Sequence, residues 1–202
     1  MEKILVLERT KTVDLPENKL RVEIGWDAKK HQPLKGKIES MMHSISHQAY
    51  DLNLSAVICY TDSRQPELIF FGHKFDKHRA VIYKGDNRTG HGDGVNETIY
   101  LDLDAMPPEA EKITLMLTIY HGEALGHCFG LVKNVFLQVR GDHLEKTYLR
   151  EDKLFAEEGA RYCALVFGTI SRLDSGWQLT SQPRLSMDNS ELELLESIQG
   201  SL

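Results

Sequence analysis

Cysteine is scarce in this chain of 202 residues. There are three, Cys59, Cys128 and Cys163, and no two of them are close in sequence. The Cys-x-x-Cys pair that marks many structural zinc sites does not occur. Sparse and unpaired cysteines are typical of reduced thiols in the cytosol. We therefore expect a cytoplasmic protein without a cysteine-based zinc site.

Long apolar runs and a basic charge balance are also lacking. No segment approaches the roughly 18 apolar residues of a membrane-spanning helix, and the N-terminal apolar run is too short for a signal peptide. Lys and Arg number 24 against 30 Asp and Glu, which gives a net charge of −6. Nucleic-acid binding usually needs a basic surface. The composition excludes a transmembrane segment and argues against a nucleic-acid partner.

Motifs of the common enzyme classes are absent as well. The chain has no Gly-x-Ser-x-Gly elbow, no phosphate loop and no Gly-x-Gly-x-x-Gly that opens a helix. His43 and His47 have a spacing that can hold zinc, but a solvated helix face explains them better, because His-Glu-x-x-His is missing. His121 and His127 bracket a short segment that is either a solvated loop or an acid–base pair. We expect a protein that is not an enzyme.

Short strand-like segments are what the sequence has in abundance. They recur every ten to fifteen residues, are rich in apolar and β-branched residues, and are separated by turn residues. They are Ile4–Leu7, Leu20–Ile24, Leu54–Tyr60, Leu68–Phe71, Ala80–Tyr83, Thr98–Leu103, Ile113–Tyr120, Val135–Val139, Leu144–Leu149, Tyr162–Ile170 and Gly176–Leu179. This spacing predicts a mainly β protein, an antiparallel β-sandwich formed by one domain over residues 1–202.

Two segments have helical spacing instead. Apolar residues recur every three or four positions over residues 37–49 and again over residues 190–199. Ser190 and Glu193 form a capping box at the start of the second segment. We predict one helix inserted near residues 37–49 and one near residues 190–199 that docks on the sandwich.

A loop rich in glycine and oxygen-bearing side chains, Gly85–Glu97, is the main candidate for a functional site. Four glycines within thirteen residues allow a tight fold, and clustered carbonyls and carboxylates suit Ca²⁺. A polar surface hairpin is the alternative. Asp86–Glu97 has the twelve-residue length of an EF-hand loop. It is not an EF-hand, because Arg88 stands at the third position, where an EF-hand has a side-chain oxygen. A calcium site here needs outside ligands, and Asp51 and Asn53 are the obvious donors.

The loop and several other motifs resemble the TerD family, which is associated with tellurite resistance and bacterial stress. Gly85–Gly90 (GDNRTG) is similar to the family's hallmark, and Gly25–Asp27 is similar to its GWD. Asp51–Ala56 resembles its DLDASA segment, and Phe129–Phe136 resembles its FG…NAF segment. The similarity covers roughly residues 20 to 180, with the motifs in the family's order.

The resemblance implies a β-sandwich that binds calcium, has no known catalytic activity and acts in resistance to tellurite and other stresses. It implies partners among other stress and tellurite-resistance proteins, at the inner face of the membrane. The implied metal ligands are Asp51, Asn53, Asp86, Asn87, Thr89, Gly90, Asp93 and Glu97, with Asp27, Asn96 and the carbonyl of Gly92 as additions.

The chain departs from the family pattern at acidic positions. Asn53, Val95 and Asn96 stand where acids are expected. About three negative charges are lost near the ion, and calcium affinity depends on ligand charge, so weak binding is expected. The alternative is a member that has lost calcium binding and acts as a protein-interaction module, through the helix at residues 37–49 or the stripe Leu192–Ile198.

Overall fold

The computed structural model describes residues 4–28, 49–62, 64–85, 87–92 and 94–199. Within these residues the chain forms thirteen strands and three short α-helices. The strands are β1 (Ile4–Val6), β2 (Lys11–Leu15), β3 (Lys19–Gly25), β4 (Leu52–Tyr60), β5 (Glu67–Ile69), β6 (Val81–Lys84), β7 (Glu97–Asp102), β8 (Ala110–Ile119), β9 (Phe136–Gly141), β10 (Thr147–Glu151), β11 (Ala164–Leu173), β12 (Gly176–Ser181) and β13 (Arg184–Ser186). The helices are α1 (Gly122–Leu125), α2 (Lys153–Ala156) and α3 (Glu191–Ile198).

The strands form two antiparallel sheets. Sheet A has eight strands in the order β1-β13-β11-β8-β4-β5, with β12 paired to β11 and β2 paired to β12. Sheet B has five strands in the order β10-β9-β3-β7-β6. One cluster of buried apolar side chains draws on both sheets, as in a sandwich whose inner faces pack together. The predicted antiparallel β-sandwich is therefore confirmed.

Alternation along the strands decides which residues enter this core. In β4, Leu52, Leu54 and Ala56 belong to the main core. Val57 belongs to a second cluster on the other face, because successive side chains of a strand point to opposite sides. Helix α3 covers that outer face with Leu194, Leu195 and Ile198. The central strands of sheet A are thus buried on both faces, as the continuous apolar run of β8 predicts.

The predicted C-terminal helix is confirmed, and its start has the expected cap. The Ser190 hydroxyl accepts a hydrogen bond from the Glu193 N–H at 3.3 Å. The Glu193 carboxylate accepts in return from the Asn189 N–H at 2.7 Å, one residue earlier than in a standard capping box. The helix predicted at residues 37–49 lies, apart from Ala49, outside the described residues. None of the described helices is long and apolar enough to span a membrane.

Some predicted boundaries were wrong. The strand predicted at Leu68–Phe71 ends at Ile69, and Phe70 instead pairs across a tight turn with His73. Strands β2 and β13 were not predicted. Strand β2 exposes most of its side chains, and β13 is only three residues long, so neither has a clear apolar period.

Candidate functional site

The glycine-rich loop joins β6 to β7 and lies against Trp26. Gly90 has a φ of +69°, and a Cβ built there would come within 2.5 Å of the Trp26 indole nitrogen. Glycine is therefore required at this position for both backbone conformation and space. Trp26 is held in place as well, because its indole N–H donates to the Tyr50 carbonyl at 3.1 Å. The loop is thus anchored on the sandwich rather than free in solvent.

Asn87 and Thr89 shape the interior of the loop. The Asn87 side-chain oxygen accepts from the backbone N–H groups of Thr89 and Gly90, at 3.2 and 3.0 Å, and from the Thr89 hydroxyl at 3.3 Å. The Asn87 amide donates to the His91 carbonyl at 2.8 Å. These are Asx-type turn contacts. Both side chains that the resemblance assigns to the metal are used here to hold the turn.

Glu97 begins β7 and connects the two sheets. Its side chain is 1 % exposed. One carboxylate oxygen accepts from the Tyr83 hydroxyl at 2.8 Å, and the other accepts from the Leu54 N–H at 2.9 Å. Tyr83 lies on sheet B and Leu54 on sheet A. This carboxylate is therefore a buried link between the sheets, beside the loop.

Asp51 is the described carboxylate that faces the loop from outside it. It precedes β4, and its carboxylate lies 3.6 Å from the Arg88 guanidinium, with 18 % of the side chain exposed. Both residues line a cleft of about 720 Å³ together with Thr89, Tyr120 and His121. The predicted partnership of Asp51 with the loop thus has a geometric basis. The contact itself is made by Arg88, which the sequence marked only as a departure from an EF-hand and not as a partner of Asp51.

Asn53, two residues later, lies on the other side of sheet A. Leu52 and Leu54 point into the main core, so Asn53 points to the outer face. It is 3 % exposed, and its side chain bonds to the Glu191 carboxylate on α3. The structure therefore brings Asp51 to the loop but places the Asn53 side chain against a helix.

Asp27 and Asn96 each accept a hydrogen bond from a residue outside the loop. The Asn96 side-chain oxygen accepts from the Trp26 N–H at 2.6 Å. The Asp27 carboxylate accepts from the Asn134 amide at 2.8 Å. Asp27 and Asn134 line a second, smaller cleft of about 260 Å³. Asp27 is therefore in a different cleft from Asp51.

The remaining loop residues fall into two groups. Gly92 is exposed, with a φ of +115° and, among the described residues, no atom within 4 Å of a Cβ built on it. Its carbonyl role stays a prediction. Asp86 and Asp93 lie outside the described residues, so their roles also stay predictions.

The predicted histidine alternatives are placed as follows. His43 and His47 lie outside the described residues. His121 lines the Asp51 cleft and packs its ring at an angle of 60° to the Tyr120 ring, with ring centroids 4.1 Å apart. His127 is 5 % exposed and packs edge-on against Tyr50 at 4.9 Å, so it is not in a solvated loop.

The donor chemistry only partly fits a calcium ion. The described residues contain no group of three or more His, Cys, Asp or Glu placed to hold a metal. Asp51 supplies one carboxylate, while Asn87, Asn96 and Glu97 already accept hydrogen bonds that stabilise the fold. Ca²⁺ takes six to eight oxygens. A calcium ion at this loop would therefore depend on Asp51, on Asp86 and Asp93, and on backbone carbonyls and water.

Comparisons with known proteins agree with the geometry of the fold. A family model described as the TerD domain matches residues 4–182. The tellurium resistance protein TerD of Serratia marcescens is 29 % identical over 160 residues, which are 78 % of this chain and 75 % of that protein. General stress protein 16U of Bacillus subtilis is 25 % identical over 169 residues, 81 % of this chain and 79 % of that protein.

Solved structures have the same architecture. A homologue of telluride resistance protein (TerD) from Streptomyces coelicolor superposes with a TM-score of 0.67. The match covers 91 % of this chain and 98 % of that chain, at 19 % sequence identity. At this level of identity the likeness shows a shared fold and nothing about ligands.

Proposed function

This chain belongs to the TerD domain family, whose matching members include tellurium resistance and general stress proteins, and from this premise we propose that it is a calcium-binding stress-response protein. The proposed role is non-enzymatic and cytoplasmic, in resistance to tellurite and other stresses. Other proteins of the same stress response are the proposed partners. Ca²⁺ is proposed to bind between Asp51 and the Gly85–Glu97 loop.

The placement of Asp51 supports this site most strongly. Its partly buried carboxylate lies beside the loop and next to a cationic group, the Arg88 guanidinium. The negative charge of Asp51 attracts a cation to the loop, and Ca²⁺ would have to displace the Arg88 guanidinium from it. Asp86 and Asp93 belong to the same loop in sequence and are proposed as the other anionic ligands.

Low affinity follows from the same observations. Among the described residues, the side-chain oxygens of Asn87, Asn96 and Glu97 already accept hydrogen bonds. Arg88 competes with the ion for Asp51. Sites with few charged ligands bind calcium in the range of about 10⁻⁴ to 10⁻³ M. We therefore propose a weak site that fills when calcium is abundant.

A second candidate function is a calcium-independent interaction module. It is favoured by the hydrogen bonds of Asn87, Asn96 and Glu97, which hold the loop and core together through protein groups. The two candidates differ in one property. Calcium stabilises the folded protein in the first and does not in the second, because only a ligand that prefers the folded state raises its stability.

A thermal unfolding series tests the calcium proposal. At ten times its Kd, Ca²⁺ adds about 1.4 kcal/mol of stability, which raises Tm by roughly 3 to 6 °C in a chain of this size. Asp51→Asn is expected to remove the shift. The matched control Asp174→Asn changes an exposed carboxylate in the β11–β12 turn and is expected to keep it. A wild-type Tm that is identical in calcium and in chelator would contradict the calcium proposal and favour the calcium-independent interaction module.

A further inference from the structure

The outer face of sheet A has a groove beside the end of α3. Helix α3 covers part of this face with Leu194, Leu195 and Ile198. Beside Ile198, strands that α3 does not cover form a groove of about 300 Å³. Its polar and charged lining residues are Lys112, Thr114, Thr169, Ser171, Thr180, Gln182 and Arg184. None of them belongs to the glycine-rich loop or to the Asp51 cleft.

Three threonines form a row across the floor of the groove. The strand register places Thr114 of β8 opposite Thr169 of β11, and Thr169 opposite Thr180 of β12. Residues that are directly opposite in neighbouring strands lie on the same face, about 4.5–5.5 Å apart at Cβ. Three hydroxyl groups therefore line up in one short row.

Thr114 provides the observation that points to a ligand. It is 2 % exposed, and among the described residues its hydroxyl oxygen has no hydrogen-bond partner. Strand propensity explains threonine on a sheet face. It does not explain a buried hydroxyl without a partner, since an unsatisfied polar atom destabilises the folded state. An acceptor bound in the groove would satisfy this hydroxyl.

The charge of the groove is opposite to that of the whole chain. Among the residues that the structure describes, the groove is lined by the cationic side chains of Lys112 and Arg184 and by no Asp or Glu. The chain as a whole carries a net charge of −6. A concave site lined by one sign of charge attracts small ions of the other sign. The described lining of the groove is therefore more positive than the chain as a whole, which favours a small anion over a cation.

We propose that this groove binds a small oxyanion with the size and double charge of inorganic phosphate. Lys112 and Arg184 supply the positive charge, and the hydroxyls of Thr114 and Thr169 donate hydrogen bonds to the anion's oxygens. The Thr180 hydroxyl, which lies 3.4 Å from that of Thr12, joins them while it accepts from Thr12. Charge-assisted hydrogen bonds of this kind are stronger than neutral ones. The site is separate from the proposed calcium site, so the two succeed or fail independently.

Calorimetric titration of the full chain with inorganic phosphate at low ionic strength tests the proposal. Saturable binding of one anion per chain is expected in the wild type. Lys112→Met is expected to weaken it about tenfold, since a charge-assisted contact is lost. Lys77→Met, which removes an exposed lysine far from the groove in sequence, is the matched control and is expected to change binding less than about twofold.

Thr114→Val separates ligand binding from folding. Valine keeps the β-branched shape and removes only the hydroxyl, so without phosphate this variant is expected to melt at a higher temperature than the wild type. It is also expected to bind phosphate about fivefold more weakly, because one hydrogen bond of about 1 kcal/mol is lost. A higher Tm with unchanged phosphate binding would overturn the role of Thr114.

A competition arm identifies the type of oxyanion. Tellurite, an oxyanion of the element in the relatives' names, is added to the phosphate-bound protein. If tellurite displaces phosphate at a concentration below the phosphate Kd, the site prefers tellurite. If a higher concentration is needed, the site prefers phosphate. The proposal is overturned if phosphate and tellurite both fail to bind, or if Lys112→Met and Lys77→Met affect binding equally.

Discussion

At the scale of single residues, Glu97 shows how a side chain can match a family ligand and still have a structural role. Its carboxylate accepts one hydrogen bond from each sheet, from Tyr83 and from the Leu54 N–H. An acid at the end of a glycine-rich loop gives no sign of this in the sequence. The pairing depends on β4 and β7, which are 43 residues apart at this contact and belong to different sheets.

Glu97→Gln tests the structural role. The amide keeps the shape of the side chain but replaces one acceptor oxygen with a donor, so a buried N–H or O–H loses its partner. We expect a loss of about 1–3 kcal/mol in the free energy of unfolding, measured by urea denaturation in chelator. Glu111→Gln, at an exposed position, is the control and should stay within about 0.5 kcal/mol of the wild type. Equal stability of the two variants would contradict this role.

Arg88 is a second single residue with a testable role, through its ion pair with Asp51. Its guanidinium lies 3.6 Å from Asp51, and 68 % of its side chain is exposed. An exposed ion pair is worth at most about 1 kcal/mol, so Arg88→Ala is expected to tighten calcium binding by about two- to fivefold. Arg9→Ala removes a distant exposed arginine with its own acidic partners and corrects for the general change in charge. Weaker calcium binding in Arg88→Ala than in Arg9→Ala would show that Arg88 does not compete with the ion.

At the scale of secondary structure, helix α3 could be predicted from its cap and apolar period, but its docking could not. Glu191, in the first turn, is expected from its type to face solvent. It is 2 % exposed instead, and its carboxylate accepts from the Thr118 hydroxyl at 3.0 Å. Burial raises the pKa of Glu191 above its ordinary value of 4.5, although hydrogen bonds from Thr118 and Asn53 oppose the rise.

A pH dependence follows from this raised pKa. The folded state holds the Glu191 proton more tightly than the unfolded chain. Its contribution to stability is therefore full below pH 4.5 and is lost as the pH rises through the raised pKa. The Glu191→Gln variant does not lose stability in this way, because its amide side chain does not titrate.

Urea denaturation across this pH range measures the effect. The Gln variant is expected to be more stable than the wild type at pH 8, and the difference should shrink towards zero below the ordinary pKa of 4.5. The exposed Glu193 is not a suitable control, since it caps the helix, and Glu196→Gln is used instead. A difference that does not change with pH would contradict the buried, raised-pKa carboxylate.

At the scale of the whole molecule, the sandwich could be predicted because it depends on local patterns. Alternation and turn residues mark most strands, and the strand density indicates two packed sheets. The strand order could not be predicted, because β3 lies between β7 and β9 in sheet B, and this order is fixed by long-range packing. For the same reason the sequence named Asp51 as a partner of the loop but could not show that Asn53 faces α3.

The most direct test of the central claim is a calorimetric titration of calcium into chelator-treated protein. We expect one ion per chain, with a Kd of about 10⁻⁴ to 10⁻³ M, and binding at least about tenfold weaker in Asp51→Asn but unchanged in Asp174→Asn. A wild-type protein that gives no binding heat up to about 10 mM calcium, or an Asp51→Asn variant that binds as the wild type does, would contradict a calcium site between Asp51 and the Gly85–Glu97 loop.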